Sequence, residues 1–430
     1  MDWKRHARNI GWQLGEQVFR IISGLFVGLW VARYLGPTHY GLLGFAMVAS
    51  NAGLVFARVG LDTPLVHDLV RFADKEHLVA STALSIRVIM ALGVAAVGVL
   101  LTGLSDKSSI YLAVSLMSIV ALSTDVADCV FQARQASAMI SSFKLGQAVV
   151  SALLRVAMVL FEVDPEAFVL LILADAALLA GVYILMWSRA FPDKTFFRFD
   201  RYVAWALLRG SGWMYLNSIA VLVYSRIDQF LVKRHLGSEA AGNYYAAVRL
   251  TEMYQLFPAT IINAIFPSLS RAGALIKGKA MSLYGLTIWL GVVYAVTASL
   301  LADFLIGFLY GEQYKYASAV LQIHCWIGVV VGVSWVSGKL NVVEAYQRIS
   351  FVNTAATGLL SIPICFFLVV EFGVLGAAYA ALLSSLLSGV LLGLVWPQTR
   401  YRLALAFRGF ILAPLHLHSI VGNILIRRFR

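Results

Sequence analysis

Six arginines stand where so apolar a chain has no inexpensive place for them. Arg20, Arg58, Arg87, Arg155, Arg226 and Arg249 each fall inside a run of apolar residues long enough to cross a bilayer. Acids accompany most of them. Glu16 and Arg20 are one helical turn apart, as are Arg58 and Asp62, and Arg249 and Glu252 are three residues apart. Spacings of three and four put both partners on one helix face. Asp125 and Asp128 share a face of another run, and Asp175 sits alone in its own. A charge at the bilayer centre costs at least ~2.5–3.5 kcal/mol, so these groups should face protein or a wet cavity. Two readings are open. Structural ion pairs would suit the three local pairs, but suit Arg87 and Arg155 less well, because neither has an acid within four residues on its own helix. The functional reading is a water-filled cavity lined with cations along its depth. Guanidinium groups bind phosphate in bidentate fashion, so its ligand would be anionic, a phosphate or diphosphate.

The elements that must position these residues are membrane helices. The 430 residues are 60% hydrophobic and only 13% charged, with a mean hydropathy of +0.81, whereas ordinary soluble domains carry about a quarter charged residues. Hydropathy divides the chain into twelve spans, at 11–35, 41–64, 79–103, 109–131, 140–162, 166–188, 205–232, 240–268, 281–309, 316–338, 349–370 and 374–396. The joins are short, so neighbouring helices should be antiparallel. The expected fold is an all-α polytopic membrane protein, with about twelve helices in two parallel-repeat six-helix lobes around a central cavity. Its expected parts are an N-terminal lobe over 1–188, a cytoplasmic linker over 189–204, a C-terminal lobe over 205–396 and a basic cytoplasmic or interfacial tail over 397–430. Within that tail, 409–426 reads as an interfacial helix in preference to a thirteenth span.

Charge gives the orientation. The side that carries the N-terminus holds twenty-three lysines and arginines, against five on the other side: Arg33, Lys107, Lys233, Arg234 and Lys315. By the positive-inside rule both termini are cytoplasmic. The net charge of +12 is therefore the bias of an inner membrane surface, which favours anionic lipids, and no nucleic acid is expected as a partner. On this topology Arg20, Arg58 and Arg87 lie toward the cytoplasmic half, and Arg155, Arg226 and Arg249 toward the outer half.

One stretch occurs twice, 201 residues apart: Arg33-Tyr34-Leu35-Gly36 and Arg234-His235-Leu236-Gly237. Without a gap, nine of the thirty-nine pairs from position 8 to 46 are identical. The shift contains an even number of spans, so both copies lie on one face, as parallel repeats require. Their glycines predict tight turns. Tyrosines 215, 224, 244, 245 and 254, with Trp213, gather at the start of the second half, and packing is preferred there to stacking on sugars.

Catalytic chemistry is not expected. The chain has no Walker A motif and no nucleophile–base pair in a recognisable context. Cys129, Cys325 and Cys365 lie scattered in apolar runs as small core side chains, without ligand spacing. His324 reads as a satisfied core histidine. Neither an enzyme nor a bound metal or cofactor is predicted.

The motif Arg33-Tyr34-Leu35-Gly36-Pro37 followed by Tyr40-Gly41 resembles the end of the first span in bacterial polysaccharide flippases of the Wzx or O-antigen type. These belong to the multidrug/oligosaccharidyl-lipid/polysaccharide exporter superfamily. Arg226 and Asp228 before Leu236-Gly237, Leu309-Tyr310-Gly311-Glu312 with Tyr314, and Gly373-Val374-Leu375-Gly376-Ala377-Ala378 follow in the expected order. The resemblance implies an alternating-access flippase with a cationic lumen. It would carry undecaprenyl-diphosphate-linked oligosaccharide from the cytoplasmic to the periplasmic leaflet, for surface polysaccharide such as lipopolysaccharide O-antigen. Implied with it are the bacterial cytoplasmic (inner) membrane as location, and lipid-linked oligosaccharide, membrane lipids, a polysaccharide polymerase and a chain-length regulator as partners. It also implies coupling to protons or sodium, for which Asp62, Asp125, Asp128, Asp175 and Glu252 are the candidates. The competing readings are a multidrug exporter of the same superfamily, whose organic cations an arginine-lined cavity would repel, and a non-transporting scaffold of a glycan-assembly complex.

Overall fold

The computed structural model describes residues 3–102, 107–192, 194–270 and 273–412. Among them the chain is helical nearly throughout and forms no β-strand. In order, the helices are α1 Trp3–Arg58, α2 Asp62–Arg71, α3 Glu76–Thr102, α4 Lys107–Leu122, α5 Val126–Ala133, α6 Ser137–Leu160 and α7 Leu170–Ala190. There follow α8 Arg201–Ser270, α9 Ile276–Leu300, α10 Ala302–Leu309, α11 Ala317–His324, α12 Ile327–Val343, α13 Gln347–Leu386 and α14 Leu392–Val395. A π-helical segment, Leu387–Leu391, joins the last two, and a final helix, α15, covers 401–412.

The three longest helices are each two helices joined at one glycine. α1 breaks at Gly36 (φ 69°, ψ 170°), α8 at Gly237 (φ 88°, ψ −175°) and α13 at Gly373 (φ 59°, ψ −135°). The first two conformations are essentially closed to residues with a Cβ. Pro37 then opens the second half of α1 at the position where a missing N–H costs nothing. The repeated Arg-x-Leu-Gly stretch is thus a pair of equivalent corners, as its glycines predict.

Eight helical stretches among the described residues are long and apolar enough to cross a membrane. Two of them, Gly11–Arg71 and Gln347–Val395, contain a glycine corner and supply two crossings each. α8 falls short of that apolarity, because it carries Arg226, Asp228, Lys233, Arg234, Arg249 and Glu252, yet with its corner it occupies the seventh and eighth spans. The chain is a multi-pass, all-helical membrane protein.

Two compact units divide it, residues 1–222 and 223–430, and the division falls inside α8. In the first unit, small residues let the helices approach closely, as membrane helix pairs require. Ala57 and Ala91 are fully buried, and a Cβ on Gly53 would stand 2.2 Å from Ile119 Cδ1. Large apolar side chains point outward instead, with Leu100 82% and Phe161 80% exposed. The 189–204 linker is held against this unit. His77 Nε2 lies 2.9 Å from the Thr195 carbonyl, Thr82 bonds the Arg198 carbonyl, and Trp187 stacks on Phe196. Asp200 ends the linker by capping α8, accepting from the Tyr202 and Val203 amides at 2.8 and 3.0 Å.

In the second unit the start of the expected tail is docked. Ala406 is buried in the cluster that contains Leu283, Tyr284 and Ile288, and Trp289 stacks on Phe410 while donating to its carbonyl at 2.7 Å. Residues 397–412 thus pack as part of this unit and do not trail from it. Residues 413–430, and with them most of the 409–426 stretch expected to lie at the interface, fall outside the described residues.

A methyl group on Gly237 would meet nothing within 4 Å, so its substitution isolates the backbone term. Gly237→Ala is expected to destabilise the protein by about 1–3 kcal/mol, read as a lower thermal unfolding midpoint in detergent. An unchanged midpoint would show that α8 can turn this corner another way.

Candidate functional site

The sequence pairs Arg58 with Asp62 along one helix, but the structure breaks that helix between them. α1 ends at Arg58, and the next two residues, Val59 (φ 52°) and Gly60 (φ 67°), are both left-handed. Asp62 then starts α2. A β-branched residue at positive φ costs of order 1–3 kcal/mol and persists only where its surroundings impose it. Here the α8 backbone lies close by, since a Cβ on Gly60 would be 2.6 Å from the Tyr215 amide nitrogen. The reversal leaves Arg58 Nη1 a loose 3.8 Å from Asp62 and turns the Arg58 guanidinium to Asp125, at 2.6 and 2.8 Å.

Asp125 is the centre of this network. It ends a 3₁₀ turn, Ser123–Asp125, between α4 and α5, and is buried. One carboxylate oxygen takes Arg58, and the other takes Arg87 from α3. Arg87 reaches on with its second terminal nitrogen to Asp62, at 2.7 Å. Two guanidiniums and two carboxylates therefore close a neutral cluster drawn from α1, α2, α3 and the α4–α5 junction. Its interior is sealed and its rim is exposed: the Arg87 side chain is 0% exposed, Arg58 38% and Asp62 53%. Arg87, expected on a cavity wall, has no free surface in this conformation. Its missing acid came from other helices, at positions 62 and 125.

The other predicted residues fall into three further sets. Glu16 bonds Arg20 at 3.1 Å, and Lys144 of α6 joins Asp128 at 3.1 Å and Glu16 at 3.8 Å. Asp125 and Asp128, read as one face, thus serve different cations. Arg155 bonds Asp175 across α6 and α7 and donates to Ser151 Oγ at 2.5 Å. In the second unit Arg226 takes Glu252 at 2.5 Å, and the sequence-local pair Arg249–Glu252 is only a 3.9 Å contact. Every predicted arginine therefore meets an acid, and only the Arg226–Arg249–Glu252 set keeps a positive charge over. Among the described residues, no group of three or more His, Cys, Asp or Glu could hold a metal ion.

Sequence reasoning missed Lys144, one of the twenty-three basic residues assigned to the N-terminal side, although it lies inside α6. It also missed a buried trio in the second unit. Tyr244 OH donates to Asp228, the other Asp228 oxygen has no hydrogen bond, and the His324 ring stands edge-on to Tyr244 with Nδ1 unpartnered. His324 is a core histidine, but not a fully satisfied one. The signal for Asp228 was present, as an acid two residues from Arg226 inside an apolar run. Tyr244, Tyr245 and Tyr254 are buried, and Tyr254 stacks on Tyr294 at 4.0 Å, so these aromatics pack.

Neutralising Asp125 would take from the buried Arg87 its buried partner and leave it the exposed Asp62. Removing one partner of a buried ion pair costs about 3–5 kcal/mol, so Asp125→Asn is expected to lower the yield of folded protein and its unfolding midpoint. The double variant Asp125→Leu/Arg87→Met should recover most of the loss. A stable single variant would remove Asp125 from its structural role.

Known proteins place this arrangement. A family model described as polysaccharide biosynthesis protein matches residues 6–273. The probable low-salt glycan biosynthesis flippase Agl15 of Haloferax volcanii is 24% identical over 228 residues, 50% of this chain and 47% of that protein. The chain thus spans about half the length of this curated relative. Among solved structures, the lipid II flippase MurJ in an inward closed conformation superposes with a TM-score of 0.75 at 12% identity, over 95% of this chain and 92% of the other. An inward-facing multidrug resistance MATE family transporter of the MOP superfamily gives 0.65 at 13% identity, over 90% and 95%. At such identities the likeness is one of fold. With the family model covering more than half of its length, the chain belongs to the polysaccharide biosynthesis protein family and is built on the fold of MurJ and the MATE transporters of the MOP superfamily.

Proposed function

We propose that this chain is a flippase that moves an undecaprenyl-diphosphate-linked oligosaccharide from the cytoplasmic to the periplasmic leaflet by alternating access, for surface polysaccharide biosynthesis. Family membership supports the glycan-lipid class. The observation that carries the reading is the exposed edge of the Asp125 network, where Arg58 and Asp62 are both partly exposed on a strained turn within a membrane-spanning region. A charged surface at that depth must meet water, because lipid would not solvate it. Arg58 is held from behind by Asp125 and only loosely from the front by Asp62, at 3.8 Å. A diphosphate approaching the edge would replace Asp62 with a bidentate anion. Asp62, then left to Arg87, is the coupling group, and a proton or sodium ion balances charge that the diphosphate brings in. Arg87 positions Asp62 and Asp125 from the interior without touching the substrate in this conformation. Arg20, Arg155, Arg226 and Arg249, each on a partly exposed ion pair, supply further stations for the anion.

The topology that goes with this reading is the one the basic residues dictate, with both termini in the cytoplasm of a bacterial inner membrane. A polymerase and a chain-length regulator would act on the delivered glycan. A multidrug exporter is the second reading, disfavoured because exposed guanidiniums repel organic cations.

Hydrogen bonds to a charged group are worth about 1.5–3 kcal/mol, so Arg58→Ala should weaken handling of the diphosphate roughly ten- to hundredfold. Arg58→Lys should keep part of it. In a deletion strain, the alanine variant should accumulate lipid-linked oligosaccharide on the cytoplasmic leaflet while reaching the membrane at the normal level. Normal surface glycan with new sensitivity to cationic dyes in the deletion strain would favour the exporter.

A further inference from the structure

The second unit holds a cavity that the anion pathway does not use. Its volume is about 160 Å³, and its walls come from α8, α12, α13, the π-helical segment and the start of α15. Tyr224, Ser334, Trp335, Asn341, Asn353 and Arg402 line it, with further serines and threonines. At about 30 Å³ per molecule of liquid water, it has room for roughly five waters, or for one pyranose ring.

Several features build this cavity at a cost. The helical ladder of the last span slips into a π-helix over Leu387–Leu391 where it borders the cavity, a distortion that recurs at functional sites. Gly389, within that segment, allows the backbone to press on α12, since a Cβ there would lie 2.2 Å from Ser334 Oγ. Beyond α14 the chain is folded back by side chains. Thr399 Oγ1 donates to the Gly393 carbonyl at 2.7 Å, Arg400 donates to the Leu394 carbonyl at 2.6 Å, and Trp396 Nε1 donates to Asn353 at 2.8 Å. That reversal sets Arg402 into the wall at 5% exposure. Its terminal nitrogens bond Asn341 and Glu344, both at 2.6 Å, while its buried Nε–H has no partner.

Chemistry selects the occupant. Hydroxyl and amide groups offer both donors and acceptors, and the indole of Trp335 offers an apolar face. The one charged residue of the lining, Arg402, is already neutralised by Glu344. A phosphate would have to displace that carboxylate, and an organic cation would find no acid. A neutral polyol of one ring fits both the size and the balance of groups. We propose that this cavity binds a single sugar residue. The sugar comes either from the glycan of the transported lipid, which rests on the function proposed above, or from free saccharide at the membrane surface.

Saturation-transfer NMR on the full chain in nanodiscs, against a panel of neutral and acidic monosaccharides and sugar-free undecaprenyl diphosphate, tests the proposal. A neutral sugar should bind saturably, and undecaprenyl diphosphate should not compete. Thr354 lines the cavity, and its hydroxyl donates to the Ser350 carbonyl of its own helix. Thr354→Leu should lower sugar affinity at least tenfold, Thr354→Ser should not, and Arg58→Ala should leave it unchanged. Ser350→Val serves as the second filling variant if Thr354→Leu does not fold. Absence of saturable sugar binding, or binding that both filling variants leave intact, overturns the proposal and marks the cavity as a hydrated void. Sugar binding in a protein whose deletion leaves surface glycan normal would instead sink the flippase reading, and would assign the site to free saccharide. Competition by the sugar-bearing lipid but not by the sugar-free one would assign it to the transported glycan.

Discussion

A charge cannot be left alone inside a membrane, and the first unit is arranged around that constraint at Asp125. One carboxylate, set on a 3₁₀ turn, receives two arginines from different helices. Desolvating these groups separately would cost several kcal/mol each. With Asp62 as the second carboxylate they form a neutral knot that ties α1, α2, α3 and the α4–α5 junction together. The left-handed Val59 and Gly60 fit the same scheme, since they turn Arg58 toward Asp125 and start α2 at Asp62. Backbone strain at this point supports charge placement.

The knot is uneven. Arg87 is sealed and Asp125 nearly so, while Arg58 and Asp62 form a rim with exposed surface. A fully buried network would only brace helices. A fully exposed one would be costly wherever lipid reached it. A sealed core with an exposed rim holds Arg87 fully buried and leaves the looser Arg58–Asp62 contact at the surface. The same logic separates the two polar systems of the molecule. The arginine sets carry charge at their surfaces, whereas the cavity beside the π-helical segment is lined by neutral groups with its single cation compensated. An anionic headgroup and a neutral sugar make different demands, which the two proposed sites would answer separately.

Much of the architecture was legible because each signal was local. Apolar run lengths gave the crossings, and the repeated Arg-x-Leu-Gly marked two equivalent corners that prove to be positive-φ glycines. The arginines themselves stood out as charges inside apolar runs. Their partners did not. Arg58 and Asp62 look like a helical pair only if the helix continues, and nothing in Val59-Gly60 announces that both residues turn left-handed. Lys144 was missed because its acids, Glu16 and Asp128, lie on other helices. The docking of 397–412 was hidden by its arginines, which read as an exposed tail although Ala406 and Phe410 face the core.

What the sequence determined by itself is therefore the class of the molecule. It is an all-helical, multi-pass chain with a doubled N-terminal pattern and costly cations at depth, because hydropathy, glycine conformation and charge bias act over a few residues. Only the tertiary structure decided which acid neutralises which arginine, which member of each pair stays exposed, and where a neutral cavity remains. Those outcomes depend on contacts between side chains tens of residues apart, such as Arg87 with Asp125 and Arg402 with Glu344. The geometry of such contacts is set by how the helices pack, and no local pattern encodes it.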